Sequence, residues 1–264
     1  MKNKIDTSSL EAGKAFVYAS VVPIHERGSL GDMFILVLIS ILPVINSGAD
    51  EKCQSVLSAV SCETKYLDEV PSDLPSSITS LNLKDNFIKE LTSDSFKNYR
   101  FLKDLNLEEN NLISISSDAF SELNYLTKLN LRFNSHLENL TNLPASLELL
   151  DLRRCTSLFK ENNSVNFSNL KSLKHLNLQD AELTKFPKLA DVGGSLKILD
   201  IRYNKKLTKI DVADLAPLCK LENLYVSIFN MKSHPCDCQA VLQWIRQYDI
   251  KGSNITCGEN EKTG

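Results

Sequence analysis

Leucines recur along this chain at a spacing that suits neither a helix nor an ordinary strand. In "LKDLNLEENNL", residues 102–112, they stand at the first, fourth, sixth and eleventh positions, with asparagine at the ninth. The arrangement returns as "ITSLNLKDNFI" from Ile78, "LTKLNLRFNSHL" from Leu126, "LELLDLRRCTSL" from Leu147, "LKHLNLQDAEL" from Leu173 and "LKILDIRYNKKL" from Leu196, and weakens to "LENLYVSIFNM" from Leu221. Successive starts differ by 24, 24, 21, 26, 23 and 25 residues. Within each copy the inner leucines alternate with polar residues, the period-two mark of a short strand with one buried face. One strand per copy is therefore predicted, and the rest of each copy must return along the outside. Stacking copies at about 4.8 Å makes the strands a parallel sheet, and neighbours bury the leucines that no copy can bury alone.

That period lies in the range of leucine-rich repeats. It predicts an α/β solenoid, a horseshoe of about seven repeats over residues 78–232 with a parallel sheet on its concave face. The asparagine has a physical task where the chain turns: its amide carries both donors and acceptor and can pair backbone groups of two adjacent coils. Asn86, Asn110, Asn134 and Asn204 fill this ladder, and Cys155 takes the place in the fourth copy as a buried small residue. Ala181 and Phe229 cannot make the bonds, so the fifth and seventh coils are expected to be the less regular ones. In the return segments Phe96 and Phe120, 24 residues apart, are expected to stack inside the convex side.

A solenoid cut open exposes its core, so both ends need caps. Cys53 and Cys62 flank an apolar stretch in residues 50–77, where a disulfide between them pins a hairpin over the first coil. In residues 233–264, Cys236, Cys238 and Cys257 bracket "AVLQWIRQYDI", an amphipathic helix whose Val241, Leu242, Trp244 and Ile245 can cover the last coil. The rival reading joins His234 to these cysteines as a zinc site.

The caps carry a family resemblance. "VSCETKYLDEVPSDLPSSITSLNLKDN" and "PCDCQAVLQWI…ITC" resemble the two ends of Toll-like receptor ectodomains, over roughly residues 53–264. The resemblance implies a short or truncated ectodomain in innate immune sensing, with membrane and cytoplasmic signalling segments lying outside this chain. It further implies that Cys236 pairs with Cys257 in a C-terminal flank left incomplete at Gly264, with Cys238 unmatched. Cys219 is also left over; a Cys219–Cys238 bond and two free thiols both stay open.

Ahead of the caps, "MFILVLISILPVI" (33–45) is too short for the roughly 20 residues of a bilayer crossing and reads as a signal-peptide core within residues 33–49. Ser47 and Ala49 suit cleavage before Asp50; an uncleaved signal anchor is the alternative, and residues 1–32 form a leader of unsettled status. Sequons at Asn139, Asn162, Asn166 and Asn254, together with seven cysteines, agree with an exported, glycosylated, oxidised protein.

Composition changes little. With 42% hydrophobic and 24% charged residues the chain is globular. A net charge of -3 with mixed signs sets up no general field for nucleic acid, leaving only a local patch open. Four scattered histidines and nine glycines, without a nucleophile elbow, phosphate loop or HExxH helix, do not read as an enzyme, and no cofactor is implied. Binding is expected instead. Seventh and eighth repeat positions make the middle of the array basic and aromatic, and Arg132, Phe133, Arg153, Arg154, Arg202 and Tyr203 are the candidate contacts for a protein or pathogen-derived ligand. An anionic ligand is the natural guess, a balanced solvated face the alternative, and a dimer is compatible with either. A secreted or cell-surface adhesion or matrix protein is the competing functional class.

Overall fold

The computed structural model describes residues 53–161, 163–231 and 235–257, with backbone alone at 164, 228–231, 235, 236, 253, 254 and 256. They belong to one compact unit, Gly48–Gly264; the leader and the apolar segment at 33–45 lie outside the described residues.

Short strands dominate. In chain order they are β1 (Gln54–Val56), β2 (Ala59–Ser61), β3 (Ser80–Asn82), β4 (Glu90–Leu91), β5 (Asp104–Asn106), β6 (Ser114–Ile115), β7 (Lys128–Asn130), β8 (Asn139–Leu140), β9 (Leu149–Asp151), β10 (Ser164–Val165), β11 (His175–Asn177), β12 (Ile198–Asp200), β13 (Asn223–Met231) and β14 (Lys251–Cys257). Among the described residues two α-helices join them, α1 (Val212–Leu215) and α2 (Pro235–Gln247). The main sheet has ten strands in the order β1-β2-β3-β5-β7-β9-β11-β12-β13-β14. Only the opening β1–β2 hairpin is antiparallel. On the return side β4 pairs with β6 and β8 with β10.

Register explains why unequal repeat lengths are tolerated. Leu81, Leu105, Leu129, Leu150, Leu176, Leu199 and Leu224 lie directly beside one another from strand to strand. The step from Leu129 to Leu150 is 21 residues and the next, to Leu176, is 26, yet both stay in line, so the return segments absorb the difference. These leucines, with Leu83, Leu107, Leu131, Leu152 and Leu178 two places on, are buried in one continuous core. Phe96 and Phe120 stack within it at a centroid separation of 6.0 Å.

The asparagine ladder is built as its chemistry requires. Asn134, fully buried, donates to the carbonyls of Leu107 (2.9 Å) and Leu131 (2.8 Å) and accepts from the Leu112 amide (3.2 Å). Asn86, Asn110 and Asn204 make the corresponding bonds, and the Cys155 thiol donates to the Leu131 carbonyl. The fifth coil is more regular than its alanine suggests: β11 keeps full register on both sides, because Asn204 of the next coil accepts from Ala181 and Leu183. What distinguishes that coil is a second left-handed residue, Glu182, after Asp180. The seventh coil does depart, its strand lengthening to nine residues with register breaks against β14.

At the N-terminal end the Cys53–Cys62 disulfide is formed, and the buried Tyr99 hydroxyl donates to the Pro71 carbonyl, tying the cap to the first coil. At the other end the implied Cys236–Cys257 pairing gives way to Cys238–Cys257. Helical geometry is the reason: Cys238, Val241 and Ile245 repeat at three and four residues and form the buried face of α2, which brings Cys238 to β14. The bond excludes the Cys219–Cys238 alternative and removes two of the four ligands the zinc reading needs. Leu242 and Trp244 pack half-buried beside the same core.

Cys155 and the exposed Cys219 are free thiols. Burial pushes the Cys155 thiol up to about 12 from its ordinary 9.0. The folded chain therefore retains a proton that the unfolded chain releases. This contribution to stability is whole below pH 9.0 and is lost as pH rises toward 12. Alkylation with iodoacetamide at pH 8, followed by peptide mass analysis, is expected to label Cys219 in the native protein and Cys155 only in denaturant.

Candidate functional site

Alternation decides which side chains the sheet offers to a partner. Fourth and sixth positions point into the core, so the outward row along the strands is the third and fifth positions. The third-position row reads Ser80, Asp104, Lys128, Leu149, His175, Ile198 and Asn223. The fifth-position row reads Asn82, Asn106, Asn130, Asp151, Asn177, Asp200 and Tyr225. In each of the first six coils that fifth residue accepts the backbone amide two places on, at 3.0–3.1 Å. A second polar ladder thus runs along the concave face. Its signature in the sequence is the repeated "LNL" and "LDL".

The candidate contacts lie one step beyond this face. Eighth-position residues Asp85, Glu109, Phe133, Arg154, Asp180 and Tyr203 all hold φ between 54° and 63°, the left-handed region, although none is glycine. The conformation costs about 1–2 kcal/mol per residue and is held by the ladder: the amide of Phe133 donates to the Arg153 carbonyl (2.8 Å) and that of Arg154 to the Gln179 carbonyl (3.0 Å). Phe133 and Tyr203 therefore stand on the rim where the strand turns away. The Arg132 and Arg154 guanidinium groups lie 4.9 and 5.2 Å from the Phe133 ring centroid.

Each of the four arginines meets a carboxylate. Arg132 Nε is 3.3 Å from Glu108, Arg153 Nη2 3.8 Å from Asp151, Arg154 Nε 2.8 Å from Asp180 and Arg202 Nη2 2.6 Å from Asp200. The Asp200 hydrogen bond holds the Arg202 guanidinium above its ordinary value. The patch that looks basic in sequence is thus largely neutralised, two of the acids coming from the same coil and two from neighbouring coils.

Between the fourth and seventh coils the outward rows change character. Leu149 and Ile198 stand where other coils carry polar residues, on either side of His175. With Asp151, Asn177, Asp200 and Tyr225 they line a hollow of about 200 Å³. Tyr225 is firmly placed: the Arg202 guanidinium lies 5.3 Å from its ring centroid, and Gly252, at φ 80°, passes so close that a Cβ there would meet Cε1 at 2.6 Å. Leu149, Ile198 and Tyr225 escaped the reading of seventh and eighth positions. An apolar third residue in "LELLDL" and "LKILDI" was the available signal.

Of the sequons, Asn139 in β8 and Asn166 are exposed on return segments, away from this face. Asn162 and the Asn254 side chain lie outside the described residues. No described helix is long and apolar enough to cross a membrane.

Comparison with known proteins agrees with the architecture. The leucine rich repeat family model matches residues 76–135. Decorin from Gallus gallus is 38% identical over 197 residues, covering 66% of this chain and 54% of that protein. Decorin from Oryctolagus cuniculus is also 38% identical, over 67% of this chain and 55% of that protein. Toll-like receptor 7 from Mus musculus is 28% identical over 75% of this chain but only 16% of the receptor. The chain spans about half the length of the decorins it matches, and its likeness is to leucine-rich repeat proteins of more than one kind. In-register leucines, the buried asparagine ladder, the disulfide at each end and these matches lead to one conclusion: the chain is a capped leucine-rich repeat solenoid.

Proposed function

We propose that this chain is an extracellular recognition module that binds a protein partner noncovalently through the concave side of its repeat sheet. The observation that carries the reading is the cluster of half-buried Leu149, Ile198 and Tyr225 around the exposed His175, on a sheet otherwise lined by polar ladders. A tyrosine with an arginine packed against it, as Tyr225 and Arg202 are, is the composition of a binding hot spot. The two disulfides support an oxidising compartment. Glycans on Asn139 and Asn166 leave the sheet face open. Arg132, Phe133, Arg153, Arg154, Arg202 and Tyr203 form the rim of the contact, with their charges already paired, so the partner is recognised by shape and mixed polarity in preference to a net negative charge.

Two settings fit such a module. The cap motifs and the Toll-like receptor 7 match support an ectodomain of an innate immune receptor. The decorin matches, more identical and covering a larger share of the matched protein, support a secreted or cell-surface adhesion or matrix protein at least as well. Both are binding roles without catalysis.

A photo-crosslinking amino acid at position 175 tests the reading, with one at position 122 on an exposed return segment as control. Displayed to cell surfaces and conditioned medium, the protein is expected to capture a discrete partner from position 175 and none from position 122. Equal capture at both, or capture from 122 alone, contradicts it.

A further inference from the structure

The two carboxylates in the concave hollow are not equivalent. Asp200 is occupied: Arg202 donates to both of its oxygens, from Nε at 3.0 and 3.1 Å and from Nη2 at 2.6 Å. Asp151 has less. It accepts the Arg153 amide at 3.0 Å and Asn177 Nδ2 at 3.4 Å, and the nearest guanidinium nitrogen of Arg153 stands off at 3.8 Å. Burial holds its carboxyl above the ordinary range, outweighing the Arg153 amide and the charges of Arg153 and Arg132. Around it, the wall contains the aliphatic side chains of Leu149 and Ile198 with His175 between them, and no lysine or arginine.

We infer that this hollow receives a lysine side chain of the protein partner, its methylene stem lying on Leu149 and Ile198 and its ammonium reaching Asp151. Lysine fits better than arginine because a compact ammonium on a flexible apolar stem can lie along the aliphatic wall and meet a single carboxylate. A cation placed there supplies Asp151 with the short charged hydrogen bond it lacks. The inference rests on the concave-face reading and deepens it by naming what the partner inserts.

The probe is the peptide acetyl-Leu-Lys-Leu-amide, compared with the same peptide carrying norleucine for lysine. Binding is followed by NMR on protein labelled at leucine and isoleucine methyls. The lysine peptide is expected to shift the Leu149 and Ile198 methyl signals and to bind about tenfold more tightly than the norleucine peptide, the size of one charge-assisted hydrogen bond. Asp151→Asn should erase that preference while leaving the fold intact, because Asn82, Asn106, Asn130 and Asn177 occupy the same position in other coils and accept the same amide. Equal binding of the two peptides to the unaltered protein, binding of neither, or an undiminished preference in Asp151→Asn overturns the inference. If position 175 captures a partner while the lysine preference is absent, the recognition reading stands and the lysine assignment falls. A lysine preference without capture overturns both, because the lysine is assigned to a partner that the face must bind.

Discussion

Replacing Asn134 with alanine is expected to destabilise the solenoid by about 3–5 kcal/mol, among the larger effects a single substitution produces. The side chain is fully buried and bonds three backbone groups from two coils: the carbonyls of Leu107 and Leu131 and the amide of Leu112. Alanine fills part of the volume but leaves the buried Leu112 amide without a partner, and leaves the Leu107 and Leu131 carbonyls only their longer bonds from Asn110 (3.2 Å) and the Cys155 thiol (3.1 Å). Asn134→Cys should cost distinctly less, since Cys155 already holds the corresponding place and its thiol donates to the Leu131 carbonyl at 3.1 Å. Urea unfolding of the two variants beside the parent measures both. Loss of under about 1 kcal/mol in the alanine variant would mean that the ladder does not stabilise the stack as described.

Breaking the C-terminal cap is the second large effect. The Cys238–Cys257 bond closes a loop with a sequence separation of 19, which corresponds to about 3 kcal/mol of lost freedom in the unfolded chain. It also seats α2, whose Val241 and Ile245 cover the last coil. Cys238→Ser is therefore expected to lower stability by about that amount and to free the core at the seventh coil for hydrogen exchange. Cys236→Ser should keep the bond. Disulfide mapping by mass spectrometry on both variants distinguishes this pairing from the alternative: a Cys236–Cys257 peptide in the parent protein would show that the assignment is wrong.

Register was legible because an aliphatic residue at the fourth and sixth positions is a packing requirement that each copy meets, with leucine always at the fourth and Ile201 and Val226 replacing it at the sixth in the last two. The asparagine ladder was legible for the same kind of reason, since an unpaired backbone group in the core is costly. The binding face was harder. Its residues satisfy no common constraint, so only their placement in three dimensions shows that Leu149, Ile198 and Tyr225 come together. The neutral character of the arginine patch was partly within reach: Asp151 and Arg153, like Asp200 and Arg202, are only two residues apart on one coil. The pairings of Arg132 with Glu108 and Arg154 with Asp180 required the stacking of coils. Left-handed Phe133 and Arg154 gave no local signal, because ladder hydrogen bonds and not glycine hold that conformation. At the C-terminal flank, a family pattern prevailed over the helical period of Cys238, Val241 and Ile245, which alone pointed to the correct cysteine.

The central claim is that coils of unequal length stack with their leucines in register, leaving the third and fifth positions as one continuous outward face. The step of 21 residues between the third and fourth coils tests it most directly, because Lys128 then lies beside Leu149. In a background with Cys155 and Cys219 replaced by serine, the pair Lys128→Cys and Leu149→Cys should form a disulfide rapidly under mild oxidation, since directly opposed parallel positions lie within disulfide reach. The pair Lys128→Cys and Arg153→Cys should stay reduced. The reverse pattern, or cross-linking of neither pair, contradicts the stacked solenoid and with it the recognition face.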